Sequence, residues 1–309
     1  MKVLHDVSFS TPPVMLAAWP GMGNVGLIAM DFLRRHLNAS LFAEMDMSPY
    51  FIPDSIIVKE GIAQLPEIPS SIFHYSTDPD LIIFESNAQV GGKDGITIIK
   101  TILDIARQYK VSRIFTAAAL AQPMSYQATS DVLIACSSNA HLESIKHFGV
   151  VPMPDGYIAG LNGLLLGVAA SRGLDAACLL ATMPSYAANM PYPKASLEVV
   201  KVFAKIFSLE LDYAELSASV SEMSQQLAAI EERIKQLFPA EKEQDQEMSQ
   251  IDEEKVPHYI MDKIEKLFNK AGKDRSAAQE LKKELDKWHL FELYEDRFLD
   301  LFEDEGGVK

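Results

Sequence analysis

Cysteine is scarce, with only Cys136 and Cys178 in 309 residues and no Cys-x-x-Cys pair. Two thiols cannot build a disulfide framework, which excludes a disulfide-stapled scaffold. The seven histidines, at 5, 36, 74, 141, 147, 258 and 289, show no His-Glu-x-x-His or comparable ligand spacing, so no metal is implied. A Gly-x-Ser-x-Gly elbow is also missing. Cys136 and Cys178 fall within apolar helical patterns and read as core thiols, whereas His141 and His147 read as residues of a solvated helix face. Long apolar runs are absent too. The longest, residues 157–171, is shorter than the ~20 residues a bilayer span needs and contains Asn162 and three glycines, so it reads as a buried helix. The opening Met1-Lys2-Val3-Leu4-His5-Asp6 lacks a basic stretch followed by an apolar run, so a cytoplasmic protein without a membrane partner is expected. Basic residues are outnumbered, 28 against 43 acidic, giving a net charge of −15, and no Lys/Arg cluster could track a phosphate backbone. Nucleic acid is not an expected partner.

With 48% hydrophobic and 23% charged residues, the chain has enough apolar side chain for a large core. Its acidity is uneven: residues 1–208 carry 17 acidic and 14 basic residues, residues 209–309 carry 26 and 14. A boundary is therefore placed between an α/β domain, 1–208, and an acidic helical extension, 209–309. In the first part, short apolar runs at 14–19, 41–45, 56–58, 81–86, 113–120 and 181–184 read as strands buried on both faces. Segments 25–37, 94–109, 131–148, 161–172 and 194–207 have helical spacing. That alternation predicts a largely parallel sheet covered on both sides, and the proline-rich segments near Ile56 and Ile72 make a mixed sheet the expectation.

The extension opens on Leu209, Tyr213, Leu216, Val220, Met223, Leu227, Ile230, Ile234 and Leu237, spaced alternately by four and three. A heptad seam of this length, over residues 209–238, must bury against another helix, either within its own chain or in a second copy. Residues 239–256 contain seven acids and two bases and read as a solvated linker. Apolar stripes in 257–303 then predict a helical hairpin.

After the first main strand, Gly21-Met22-Gly23-Asn24-Val25-Gly26 fits Gly-x-Gly-x-x-Gly and opens a helix. Such a loop either cradles a dinucleotide phosphate or makes a tight strand-to-helix turn. Later strands end in loops carrying Glu85, Asn87 and Gln122, so these residues and Asn24 could meet in one crevice at the carboxyl edge of the sheet. The same side chains would serve equally well as caps for loop backbone. Farther on, Gly160, Gly163 and Gly167 in one apolar helix, with Asn162 among them, predict a face on which another backbone comes close.

In combination, the segment from Gly21 to Gly26, the run Ile158-Ala159-Gly160-Leu161-Asn162-Gly163-Leu164-Leu165-Leu166-Gly167, and the Pro-rich loop from Met183 to the Pro193-Lys194-Ala195 helix start resemble the proteasome assembly chaperone 2 family over about residues 5–210. The resemblance implies a phosphorylase/hydrolase-like three-layer α/β/α sandwich, a homo-oligomer, and a non-enzymatic protein-binding or assembly role linked to the proteasome, with no cofactor. The family's docking tail, a hydrophobic residue, tyrosine and any residue, is not matched by Gly306-Gly307-Val308-Lys309, so tail-mediated activation is not implied. The alternative from the residues themselves is a small-molecule or nucleotide-binding enzyme that uses the carboxyl-edge loops.

Overall fold

In the computed structural model, strands and helices alternate from the first residues onward. The order is β1 (Lys2–Val3), β2 (Val14–Ala18), α1 (Val25–His36), β3 (Ser40–Glu44), β4 (Ile57–Lys59), β5 (Ile62–Gln64), β6 (Ser71–Thr77), β7 (Asp80–Ser86), α2 (Gly92–Gln108) and β8 (Arg113–Gln122). It continues with β9 (Val132–Cys136), α3 (Asn139–Ile145), β10 (Val151–Pro152), α4 (Gly160–Ser171), β11 (Ala176–Pro184), α5 (Pro193–Phe207), α6 (Ala214–Leu237), α7 (His258–Ala271) and α8 (Ala278–Lys287). The structure describes residues 2–51, 53, 55–237, 258–271, 277–288, 290, 291, 294 and 298. Two compact units divide between residues 239 and 240.

Nine strands form one sheet in the order β1-β3-β6-β7-β2-β8-β11-β9-β10. The centre, β7-β2-β8-β11, is parallel, while β1, β3 and β6 join on one side and β9 on the other by antiparallel pairing. The sheet is therefore mixed. Central strands are apolar on both faces because both faces are covered: Leu16 and Ala18 enter the layer of α1 and α5, Met15 and Ala17 that of α2 and α4. The same alternation divides β11, with Leu179 and Ala181 on the first side and Cys178 and Leu180 on the second. Strands β4 and β5 stand apart as a two-stranded hairpin between β3 and β6.

Several expectations are corrected. Residues 131–148 are not one helix, because Val132–Cys136 pairs antiparallel with β11 and α3 starts afresh at Asn139, where the Ser138 Oγ accepts the His141 N–H at 3.2 Å. Cys136 and Cys178 accordingly lie on strands, half-buried and buried respectively. His141 is buried against Phe115, not solvated, because α3 turns it toward the sheet. The last central strand begins at Ala176, five residues earlier than its Thr-Met-Pro end suggests. Helix α4 is covered on one face only: Leu161, Leu165 and Ala169 are buried, but Leu164 is 46% exposed.

The seam of α6 is buried in the core of its own chain. Leu216, Met223 and Leu227 join the cluster formed by α1, α5 and the sheet, with Leu209 and Tyr213 packed at its margin. Val220 is half-buried and Ile230 is exposed, so the seam fades toward its end; the Ile234 side chain lies outside the described residues. This packing places α6 in the first unit, although the composition changes near residue 209. The solvated linker expected over 239–256 lies outside the described residues. In the second unit α7 and α8 share a core of Ile264, Leu267, Phe268, Leu281, Leu285 and Trp288. Among the described residues, no helix is long and apolar enough to cross a membrane.

Candidate functional site

The glycine loop follows β2 at the carboxyl edge of the sheet and is closed by hydrogen bonds to the segment before α5. The Gly23 N–H donates to the Ala188 carbonyl at 2.9 Å, and the Gly23 carbonyl accepts the Tyr192 N–H at 2.8 Å. Gly23 has φ +62°, and a Cβ there would lie 2.9 Å from Tyr192 Cβ and 3.0 Å from the Met183 side chain. Gly26 is tighter still: its Cβ would lie 2.1 Å from the Ala117 carbonyl oxygen, so its absence lets α1 lie directly on β8. Gly21 is exposed, with Asn162 Nδ2 3.9 Å from the position of its Cβ. Packing and backbone geometry account for Gly23 and Gly26, and the Gly23 N–H that an anion cradle would use is already bonded.

The helix that begins at Gly160 is fastened to the same edge. Buried Asn162 accepts the Trp19 N–H at 3.2 Å and donates to the Trp19 carbonyl at 3.4 Å, and its own carbonyl accepts the Thr116 hydroxyl at 2.8 Å. Gln89 Oε1 accepts the Leu161 N–H at 3.0 Å and lies 2.6 Å from where a Cβ on Gly160 would be. At Gly163 the close backbone belongs to the helix's own approach, with the Ile158 carbonyl 2.3 Å from a Cβ. Gly167 faces open space, which corrects its reading as a close-packed position. Lys194 donates to the carbonyls of Tyr126, Gln127 and Ala128 at 2.6, 3.2 and 2.7 Å, tying the loop after β8 to α5. Neither Gln89 nor Lys194 stood out as a site residue in the sequence; Lys194 lay within the Pro-Lys-Ala motif and Gln89 beside Asn87.

The edge residues do not form one crevice. Gly21, Gly23 and Asn24 line a cavity of about 260 Å³ with residues 188–190, and Glu85 and Asn87 line another of about 250 Å³ with Leu27, Asp31 and Arg34. Gln122 lines neither; its Nε2 is 3.7 Å from the Met124 sulfur. Asn87 instead anchors the chain returning to β6: its Oδ1 accepts the Ser70 N–H at 2.8 Å and its N–H donates to the Ser70 carbonyl at 3.1 Å. A third cavity, about 420 Å³, lies between α1, residues 191–193 and the start of α6, and Arg35 bonds Glu215 across it at 2.8 Å.

Glu85 is held by Arg34 at 2.7 Å, and Arg34 also bonds Asp31. Burial raises the Glu85 carboxyl above the ordinary range, opposed by Arg34. Nearby His74, with Nδ1 3.7 Å from Glu85, is lowered to about 4 by burial and by the Arg34 charge, and stays neutral at pH 7. Burial pushes Cys136 up to about 11 and Cys178 up to about 12, so neither supplies a thiolate at neutral pH. Among the described residues no group of three or more His, Cys, Asp or Glu could hold a metal ion. The edge thus consists of loops that satisfy one another, with shallow cavities between them.

The model of the PAC2 family matches residues 15–231. Among solved structures, PbaB of Pyrococcus furiosus, an archaeal proteasome activator, is 26% identical with a TM-score of 0.65, covering 75% of this chain and 97% of PbaB. PbaA of the same organism, an archaeal homologue of proteasome-assembly chaperone, is 23% identical with a TM-score of 0.60, covering 77% and 94%. A proteasome-assembly chaperone homologue of Mycobacterium tuberculosis, 19% identical with a TM-score of 0.59 over 70% and 94%, has the same fold. No curated protein matches the chain.

Proposed function

The chain belongs to the PAC2 family, and on that premise we propose that it is a homo-oligomeric assembly factor that binds proteasome subunits and carries out no chemistry of its own. A non-enzymatic, protein-binding or assembly role follows from homology to the proteasome-assembly chaperones and activators. The observation that carries the proteasome link is the likeness to PbaB, which extends over 97% of that activator. The nine-stranded mixed sheet with helices on both faces supports assigning the fold to the phosphorylase/hydrolase-like three-layer sandwiches. A fold of that kind hosts many activities, so the site must decide. Here the loops at the ligand edge bond one another: Gly23 to residues 188 and 192, Asn87 to Ser70, Lys194 to residues 126–128. Those bonds support a rigid surface for a protein partner over a pocket awaiting a small molecule.

The test is direct. The full chain, mixed with purified proteasome α-subunits from the same cells, should shift them to a larger species in size-exclusion chromatography at micromolar concentration. Separate elution at 50 μM of each component, together with saturable turnover of a phosphoester or nucleoside in a substrate screen, would reverse the assignment.

A further inference from the structure

Helix α5 opens with a lysine where a helix disfavours one. Pro193 takes the first position, no acidic residue stands in the first turn, and Lys194 adds a positive charge at the positive end of the helix macrodipole. The side chain is also half-buried, and Glu198, one turn further on, bonds Lys201 at 2.8 Å instead. What holds the ammonium is a set of carbonyl dipoles, those of Tyr126, Gln127 and Ala128 at 2.6, 3.2 and 2.7 Å. An ammonium has three N–H donors, so these three acceptors engage all of them. The same stretch places its own N–H groups on local acceptors. The Tyr126 N–H donates to the Tyr186 hydroxyl at 3.1 Å, Gln127 to Ser125 Oγ at 3.2 Å and Ala128 to the Ser125 carbonyl at 3.1 Å. The backbone of residues 126–128 is thereby accounted for, with its three acceptors gathered on a single nitrogen. Residues 123–130, which join β8 to β9, carry no charged side chain of their own, so the loop is folded around the charge of Lys194.

We propose that Lys194 is a modification site that works as a latch, holding this loop while its amine is charged and releasing it when the amine is acylated. The amine is chemically suited to the reaction. Burial pushes it below the ordinary lysine range, with Glu198 opposing the shift, and the free base is the form that attacks an acyl donor. With an acyl thioester, Nζ attacks the thioester carbonyl carbon. The C–N bond forms as the C–S bond breaks, and the thiolate leaves with the proton that the nitrogen gives up. The product carries no charge and one N–H where the ammonium had three, so two of the three carbonyls lose their donor. The acyl group also needs room where the carbonyls now converge. Half-buried carbonyls without a donor turn to water, which is close at hand because Gln127, Ala128 and Thr129 are already exposed. Strands β8 and β9 need not follow, since each is paired along β11. Through the Tyr186 hydroxyl the loop meets residues 185–192, which close over the glycine loop, so its release reshapes the carboxyl edge. This inference goes beyond the assembly reading and does not depend on it.

Two measurements on the full-length chain test it. Incubated with S-acetyl-N-acetylcysteamine, the protein should be acetylated at Lys194 at least as fast as at Lys205, which is exposed on the same helix; peptide mass spectrometry reads both rates. Encoding Nε-acetyllysine in place of Lys194 should then raise backbone hydrogen exchange across residues 124–128 by about tenfold or more, while β8 and β9 stay within about twofold of wild type. Lys194→Met, which keeps the length of the stem and lacks the nitrogen, should open the loop in the same way. Ammonium chloride should close it again, whereas tetramethylammonium chloride at the same ionic strength, having no N–H to donate, should not. Should the encoded protein fail to fold, wild type acetylated after folding supplies the same exchange comparison. Acetylation of Lys194 slower than that of Lys205 would overturn the proposal, as would loop exchange that the acetyl group leaves unmoved. An increase shared equally by β8 and β9 would make Lys194 a merely structural residue, and closure by both salts alike would show that no donor site exists; either result refutes the latch.

Discussion

Replacing Gly26 by alanine isolates the closest contact at the glycine loop. A Cβ at this position would lie 2.1 Å from the Ala117 carbonyl oxygen and 2.9 Å from its carbon. Ordinary contact begins near 3.4 Å, so one of the two backbones must move by roughly 1 Å. Strand β8 cannot, because it is hydrogen-bonded to β2 on one side and β11 on the other. Helix α1 must lift instead, and with it Val25, Ala29, Met30, Phe32 and Leu33, all at most 1% exposed. Overpacking a core costs about 1–3 kcal/mol, and lifting a whole helix from its layer belongs at the upper end. Alanine regains up to about 1 kcal/mol of helix propensity, which leaves a net loss of about 2–3 kcal/mol. For a unit of this size that lowers the melting temperature by roughly 5–10 °C. Gly167→Ala is the internal control: it lies within α4, its Cβ would meet nothing within 4 Å, and it should hold or slightly raise the melting temperature. Thermal denaturation followed by far-UV circular dichroism measures both. A Gly26→Ala melting temperature within 2 °C of wild type, or equal losses at the two positions, would refute the close-approach reasoning.

Three other outcomes are expected. Leu227→Ala should destabilise by about 2–5 kcal/mol in urea denaturation, because Leu227 is fully buried in the core of the first unit; a loss that disappears as protein concentration rises would instead assign the seam to a second copy. His74, whose folded value of about 4 is below its ordinary 6.5, stabilises the fold above pH 6.5, and that contribution is lost as pH falls toward 4. His74→Phe should therefore flatten the decline in unfolding free energy between pH 6.5 and 4, and an unchanged slope would show that the imidazole titrates alike in both states. Calorimetric titration with NAD, ATP and inorganic phosphate should give no dissociation constant tighter than about 100 μM, equivalent to about −5.5 kcal/mol. Saturable binding abolished by Gly23→Val would restore the nucleotide reading of the loop.

The layered α/β architecture was legible in the sequence because burial on both faces leaves short, uninterrupted apolar strands, as at Met15–Ala18 and Ile82–Phe84, and helices with one-sided stripes between them. The heptad spacing of Leu216, Met223 and Leu227 likewise announced a buried face. What the seam meets is a tertiary matter: spacing states that a stripe is covered, and only the fold brings α1 and α5 to it. The strand Val132–Cys136 passed for helix because five apolar residues fit either period, and pairing with β11 decides between them. The glycine motif reads the same whether its N–H groups face a phosphate or a neighbouring chain. Residues 188 and 192, far along the chain, take up the Gly23 backbone, and Ala117 occupies the space above Gly26. Glu85 shows the same division, since its carboxylate was visible as a candidate, but its partner Arg34 is 51 residues away. Local pattern is set by neighbours a few residues apart and survives in the sequence, whereas the environment of a side chain is set by segments that only folding brings together.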